Sequence, residues 1–128
     1  MGIEALSRGA KSAYFVDISP RSLAVVRENL KTTNLLDQAR IYQSDAVDFL
    51  QAVSQKFEIA ILDPPYRKEM LIHVLPLLEF AMRKSGLVVC EHETELHLSA
   101  EYGFLKLQKQ KKYGTVTITT YQCRRDEI

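Results

Sequence analysis

Phe57-Glu58-Ile59-Ala60-Ile61-Leu62-Asp63-Pro64-Pro65-Tyr66 changes character abruptly at Asp63. Its first six residues are a short apolar run suited to a buried strand. Pro64 and Pro65 lack a backbone N–H and hold φ fixed, so the chain leaves the sheet at Asp63. Each proline also drives the residue before it toward an extended conformation. The result is a stiff segment at the carboxyl end of a strand, with an acid before it and an aromatic ring after it. Ligands of open α/β sheets bind along that edge, so Asp63, Pro64, Pro65 and Tyr66 are candidate active-site residues.

Upstream, strands and helices alternate. Residues 3–8 have helical character, with Glu4 and Arg8 spaced i,i+4 and Gly9 as a C-terminal stop. Residues 12–18 read as a strand ending on Asp17. Ser19-Pro20 opens a helix, with Ser19 as N-cap and Pro20 at the first helical position. Leu23, Val26, Leu30 and, more roughly, Val25 supply its apolar stripe, and it should end near Thr32 to Asn34. Residues 39–43 form a short strand, Ser44-Asp45 its polar end, and Val47, Phe49, Leu50 and Val53 a short amphipathic helix.

Downstream, residues 68–84 read as a helix with Met70, Leu71, Val74, Leu75, Leu78 and Met82 on its buried side. Pro76 predicts a kink or break within it. Ser85-Gly86 ends it, and residues 87–90 are another apolar strand. Residues 102–110 and 115–121 alternate about Tyr113-Gly114, the pattern of a β-hairpin. Alternating strands and helices imply parallel strands joined by right-handed crossovers. The expected fold class is α/β: a doubly wound, mostly parallel sheet with a C-terminal antiparallel β-hairpin at one edge.

A chain of 128 residues, 46% apolar and 26% charged, has the size and composition of one globular domain, so a single domain over residues 1–128 is expected. No apolar run approaches the roughly 20 residues that span a bilayer, and the first residues lack the basic and apolar regions of a signal peptide. Cys90 and Cys123 form no CxxC pair, and Cys90, within an apolar run, reads as a buried small residue. A reducing, cytoplasmic location is expected. The net charge of +1 excludes a polycation, so nucleic-acid binding would need a local patch.

Three acids stand at strand ends: Asp17, Asp45 and Asp63. In a parallel sheet those ends point the same way, and the carboxylates would line one crevice. An acid at such a strand end in a dinucleotide-type fold accepts hydrogen bonds from ribose hydroxyls, a role open to Asp17. Asp45 could accept from an adenine amine. The competing reading is that Asp17 and Asp45 only cap the helices that follow them.

Asp63-Pro64-Pro65-Tyr66 resembles the (Asp/Asn)-Pro-Pro-(Tyr/Phe/Trp) motif of S-adenosylmethionine-dependent methyltransferases that act on amino groups conjugated to a ring or carbonyl. Gly2-Ile3-Glu4-Ala5-Leu6-Ser7-Arg8-Gly9-Ala10 resembles the helix after the cofactor loop in the RsmD family. Ser44-Asp45-Ala46-Val47-Asp48-Phe49-Leu50 and Lys111-Lys112-Tyr113-Gly114-Thr115 resemble other segments of that family. The resemblance extends over essentially the whole chain. It implies a Rossmann-like class I methyltransferase fold, S-adenosyl-L-methionine as cofactor, and methylation of guanine N2 in small-subunit (16S) ribosomal RNA. The implied partner is that RNA or a small-subunit assembly particle, with no membrane and no metal.

The resemblance also implies residue roles. Gly2, Asp17, Ile18, Asp45 and Ala46 would bind the cofactor, with Asp17 on the ribose and Asp45 and the Ala46 backbone on the adenine. Asp63, Pro64, Pro65 and Tyr66 would be catalytic, and Tyr66, Arg67, Lys111 and Lys112 would meet the substrate. In the family a first strand and a loop of the Asp-x-x-x-Gly-x-Gly kind precede Gly-Ile-Glu. This sequence opens at Met1-Gly2 without them, and the expectation is a late start, the missing strand and loop lying upstream.

The chemistry accounts for the residue types. An exocyclic amine of guanine or adenine is a poor nucleophile because its lone pair is delocalised into the ring. Acceptors that hold both N–H groups favour a pyramidal nitrogen whose lone pair faces the methyl group. The Asp63 carboxylate and the Pro64 carbonyl can be those acceptors, their direction set in advance by the two prolines. Tyr66 would stack on the base and align it. A base within a helix cannot reach such a pocket, so the target must be unpaired or flipped.

Other features carry less. His73, His92 and His97 have no metal-ligand rhythm and read as surface or loop histidines; Glu91, Glu93 and Glu95 read as a solvated loop. Lys106, Lys109, Lys111 and Lys112 cluster at the hairpin, with Arg67 and Lys68 beside the motif. They serve equally as protection of a sheet edge or as phosphate contacts to RNA. Two rivals share the motif, a DNA adenine-N6 and a protein-glutamine methyltransferase. A third is a non-catalytic Rossmann-like binding module.

Overall fold

The computed structural model of the chain describes residues 2–62 and 68–124. Two compact units divide it, Met1–Phe49 and Leu50–Ile128. The first contains α1 (Gly2–Ser7), β1 (Ala13–Asp17), α2 (Pro20–Thr32), a 3₁₀ turn (Leu36–Gln38), β2 (Ala39–Gln43) and the start of α3 (Ala46–Ala52). β1 and β2 pair in parallel, with Ala13 opposite Ala39 and Asp17 opposite Gln43.

Local chemistry sets these boundaries. Gly9, at φ 110°, stops α1 in a conformation that a side chain would oppose. Ser19 is extended, and its Oγ accepts the Ser22 N–H at 3.2 Å, while Pro20 starts α2. Leu23 and Leu30 are buried, but Val25 is 57% exposed and lies off the stripe. Asn34, at φ 59°, reverses the chain after α2. On one face of the strand pair Tyr14, Tyr42 and Phe49 of α3 cluster, with ring centroids 5.3–6.3 Å apart. On the other face Phe15 packs against Gly2 of α1.

The second unit holds β3 (Phe57–Leu62), α4 (Lys68–Leu78), β4 (Met82–Glu93), β5 (Glu101–Tyr102), β6 (Leu105–Tyr113) and β7 (Val116–Cys123). Its sheet has the order β3-β4-β7-β6-β5. β3 and β4 are parallel, and every later pairing is antiparallel. The parallel pairs thus sit at the helical crossovers, and the antiparallel strands close the C-terminus. β3, β4 and β6 run one way and β7 runs against them. One row crosses the sheet through Leu62, Cys90, Thr119 and Gln110.

α4 buries Leu71, Val74, Leu75 and Leu78, each contributing roughly 1.5–3 kcal/mol of hydrophobic stabilisation. The helix is shorter than the expected span to Lys84. Pro76 lies inside it and removes one backbone donor, and the helix ends at Leu78. Met82 is not a helical residue: it opens β4, pairs with Phe57 and is fully buried. Ser85, at φ 66°, bends the strand there rather than ending a helix. Ile59 is 58% exposed, against the expectation of a buried strand, and β3 stands at the end of the strand order in its sheet.

Candidate active site

The first unit carries two of the strand-end acids at one edge. Asp17 Oδ1 accepts the Ser19 N–H at 2.8 Å, and the Asp17 carbonyl accepts the Ser44 N–H at 3.0 Å. That second bond ties the ends of β1 and β2 together. Asp45 Oδ1 accepts the Val47 N–H at 2.7 Å, and its carbonyl accepts the Phe49 N–H at 3.0 Å and the Ser44 hydroxyl at 2.9 Å. Each carboxylate therefore fixes a local turn with Oδ1, as the capping reading requires. Among the described residues Oδ2 of each has no hydrogen-bond partner, so each acid keeps one oriented acceptor for a ligand.

Ile18, beside Asp17, is 68% exposed and offers an apolar surface at the strand end. Ala46 is the first residue of α3, where a backbone N–H has no intrahelical acceptor. Gly2 has a structural reason for its identity: an added Cβ would stand 2.6 Å from Phe15 Cε1. These three residues and the two acids are all that the cofactor expectation named, and all five lie in the first unit.

The second unit delivers β3 to its carboxyl edge at Leu62, which is buried. Asp63, Pro64, Pro65, Tyr66 and Arg67 follow and lie outside the described residues. Because β6 runs parallel in direction to β3, its last residues reach the same edge. Lys111, Lys112 and Tyr113 lie one to three positions beyond Gln110, which shares a row with Leu62, the last residue of β3. Lys111 pairs with Ile118 and Lys112 with Thr117, so the two lysines stand on opposite faces of the sheet. Lys106 is engaged elsewhere, 2.6 Å from Glu101.

Behind this edge lies a buried polar network that the sequence reading missed. His92, expected at the surface, is 7% exposed in β4. Its Nδ1 meets the Glu93 carbonyl at 2.8 Å and therefore carries the proton; its Nε2 lies 2.7 Å from Thr119 Oγ1. Gln110 Nε2 donates to the same Oγ1 at 2.9 Å, leaving the Thr119 hydroxyl to donate to His92. Thr94 and Thr117 pair alongside at 2.8 Å. The signal available in the sequence was period two, since Val88, Cys90 and His92 continue one alternating face. Glu91 and Glu93 belong to the same strand and not to a loop.

Burial pushes the Cys90 thiol up to about 12, and burial, aided by the nearby Tyr102 and Cys90, raises the Tyr121 phenol as well. Neither group is ionised near neutral pH, and both belong to the core. Among the described residues no group of three or more His, Cys, Asp and Glu could hold a metal ion. Nor is any helix among them long and apolar enough to cross a membrane. A surface depression of about 280 Å³ lined by Lys31, Asn34, Leu36 and Asp37 lies between the end of α2 and the start of β2. That is the opposite end of the strand pair from Asp17 and Asp45.

Comparison with known proteins identifies the family and the fold. The family model described as conserved hypothetical protein 95 matches residues 1–122. YlbH of Bacillus subtilis (strain 168), named as a candidate rRNA methyltransferase, is 36% identical over 97% of this chain and 70% of its own length. The ribosomal RNA small subunit methyltransferase D of Escherichia coli (strain K12) is 30% identical over 95% of this chain. The chain spans 62% of that relative's length. Among solved structures, the candidate methyltransferase yhhF of Escherichia coli superposes with a TM-score of 0.89 at 29% identity, over 98% of this chain and 72% of that one. A conserved hypothetical protein of Streptococcus pyogenes gives 0.86 at 28% identity, over 94% and 76%.

Proposed function

The chain belongs to the RsmD family, described as conserved hypothetical protein 95, and from that membership we propose that it transfers a methyl group from S-adenosylmethionine to a guanine N2 amine of small-subunit ribosomal RNA. The observation that carries the reading is Asp63-Pro64-Pro65-Tyr66 directly after the carboxyl end of β3. The names of the relatives support rRNA methylation as the activity class. The choice of guanine N2 rests on the motif and the family resemblance. The proposed compartment is the cytoplasm, where ribosomal RNA is processed.

The first unit supplies acceptors suited to the cofactor. Asp17 Oδ2 would accept from ribose hydroxyls, Asp45 Oδ2 from the adenine amine, and Ile18 would lie against the adenosine. The Ala46 N–H would donate to a ring nitrogen. Gly2 would bring α1 close without a side chain in the way. S-adenosylmethionine, when bound, supplies a methyl group made electrophilic by its sulfonium.

The second unit would prepare the nucleophile. The Asp63 carboxylate and the Pro64 carbonyl would accept the two N–H groups of the amine, drawing its lone pair out of conjugation. Pro65 would keep that carbonyl in place, so that no reorganisation is needed as charge develops. Tyr66 would stack on the base, and Arg67, Lys111 and Lys112 would meet phosphates.

The test is methyl transfer from labelled S-adenosylmethionine to separate RNA, DNA and protein pools. Label in small-subunit rRNA, recovered as N2-methylguanosine after digestion, is expected. Label in DNA or protein alone overturns the reading.

A further inference from the structure

The two lysines assigned to the substrate stand on opposite faces of β6, and the residues that share a face make a different set. Lys109, Lys111 and Tyr113 pair with Thr120, Ile118 and Val116, which alternate along β7, so all three project from one face. Gln110 and Lys112 pair with Thr119 and Thr117 on the other face, where Gln110 bonds to Thr119. The Lys111 ammonium sits 5.3 Å from the Tyr113 ring centroid. That ring is still 53% exposed, held beside a cation and open to a second flat partner. None of the ion pairs among the described residues involves Lys109 or Lys111. The acids on the same face, Glu91 and Glu93, lie two strands away, about 10 Å. That exceeds the roughly 8 Å Debye length at physiological salt, so those carboxylates are largely screened from the lysines.

We infer that Lys109, Lys111 and Tyr113 form a landing strip for the single-stranded RNA that flanks the methylated nucleotide, with the lysines on successive phosphates and Tyr113 stacked on a base. This rests on the reading of the chain as an RNA methyltransferase. The chemistry fits a single strand: ammonium groups track a backbone, and an exposed ring stacks on any base without reading its identity. A duplex hides the faces of its bases and gives Tyr113 nothing to hold. The strip is also well placed. β6 ends at the same edge as β3, three strand spacings away, about 14 Å, and Asp-Pro-Pro-Tyr follows β3 in the sequence. One strand of RNA can therefore lie along the strip while a neighbouring nucleotide enters the site. Lys112, on the far face, lies outside the strip and would reach phosphates from the other side of the sheet.

The experiment measures binding of a short fluorescein-labelled oligoribonucleotide, single-stranded or in a matched duplex, across a salt series. Replacing Lys109→Ala and Lys111→Ala together should lower the slope of log affinity against log salt by about 1.4, two phosphate contacts on a single strand. Tyr113→Ala should weaken single-strand binding about ten-fold, within the range for loss of one stacked base, and leave the slope alone; Tyr113→Phe should restore it. An unchanged slope in the double lysine variant, equal binding of the duplex, or no binding by the wild-type chain overturns the strip. Its failure is separable from failure of the proposed function. Methyl transfer to RNA that survives loss of the strip sinks only the strip, and binding through the strip without methyl transfer to RNA sinks only the activity.

Discussion

At Gly2 a Cβ would stand 2.6 Å from Phe15 Cε1 and 2.8 Å from Cζ, closer than carbon atoms approach. Gly2→Ala should therefore destabilise the chain by about 1–3 kcal/mol, the usual cost of overpacking, read from urea unfolding. The companion change Phe15→Leu should recover part of that loss by clearing the ring. The acids divide by role. Asp17→Ala should weaken binding of S-adenosylhomocysteine in calorimetry, because it removes the acceptor at Oδ2 along with the Ser19 contact. Asp63→Ala should leave that binding intact and lower kcat about a hundred-fold or more, as loss of a preorganised hydrogen-bonding group does. Equal effects of the two changes on both measurements would contradict the assignment of one acid to the cofactor and the other to the amine.

Among the elements, β7 connects core and edge. Its Thr119 is fully buried, accepts from Gln110 and donates to His92, so it joins β6 and β4 through β7. Thr119→Val keeps the shape and leaves the buried His92 Nε2 without a partner, while the exposed Gln110 amide can turn to water. One such buried group costs roughly 1–3 kcal/mol, and a fall of about that size is expected in denaturant unfolding. Adding His92→Phe should cost less than the two single changes summed, because one orphan is then removed. Strict additivity would show that the two side chains are not coupled. The start of α2 is simpler. Ser19→Ala should cost about 1 kcal/mol through the lost cap.

For the molecule as a whole, the large titration shifts among the described residues lie in the core of the second unit. The Cys90 thiol is raised from 9.0 to about 12 by burial. The folded state holds that proton more tightly than the unfolded chain does. The associated stability is complete below about pH 9 and is lost as the pH climbs toward 12, an effect of at most about 4 kcal/mol. The buried Tyr121 phenol, also raised, acts in the same direction. Melting temperature should thus fall steeply between about pH 9 and 11, and Cys90→Ala should flatten that fall even where it lowers stability at neutral pH. Parallel slopes for the two proteins would remove Cys90 from the account.

Much of this architecture was legible in the residues, because the decisive signals act over one or two peptide units. β3 ends at Leu62, where the Asp63-Pro64-Pro65 sequence predicts the chain to leave the sheet. Ser19-Pro20 starts α2, Gly9 stops α1, and Gly114 at φ 63° turns the hairpin. Asp17 and Asp45 fall at strand ends because the strands themselves were readable. What depends on distant partners was not legible. Met82 joins a strand because Phe57 waits beside it, and His92 can be buried because Thr119, 27 residues away, donates its hydroxyl to Nε2. Lys111 and Lys112 are neighbours in the chain yet face opposite ways, since a strand alternates its side chains and only pairing with β7 decides which way is out. The sequence by itself determined where the chain turns and which residues stand at the edge. The tertiary structure decided which of them share a face, because a face exists only once strands far apart in sequence lie side by side.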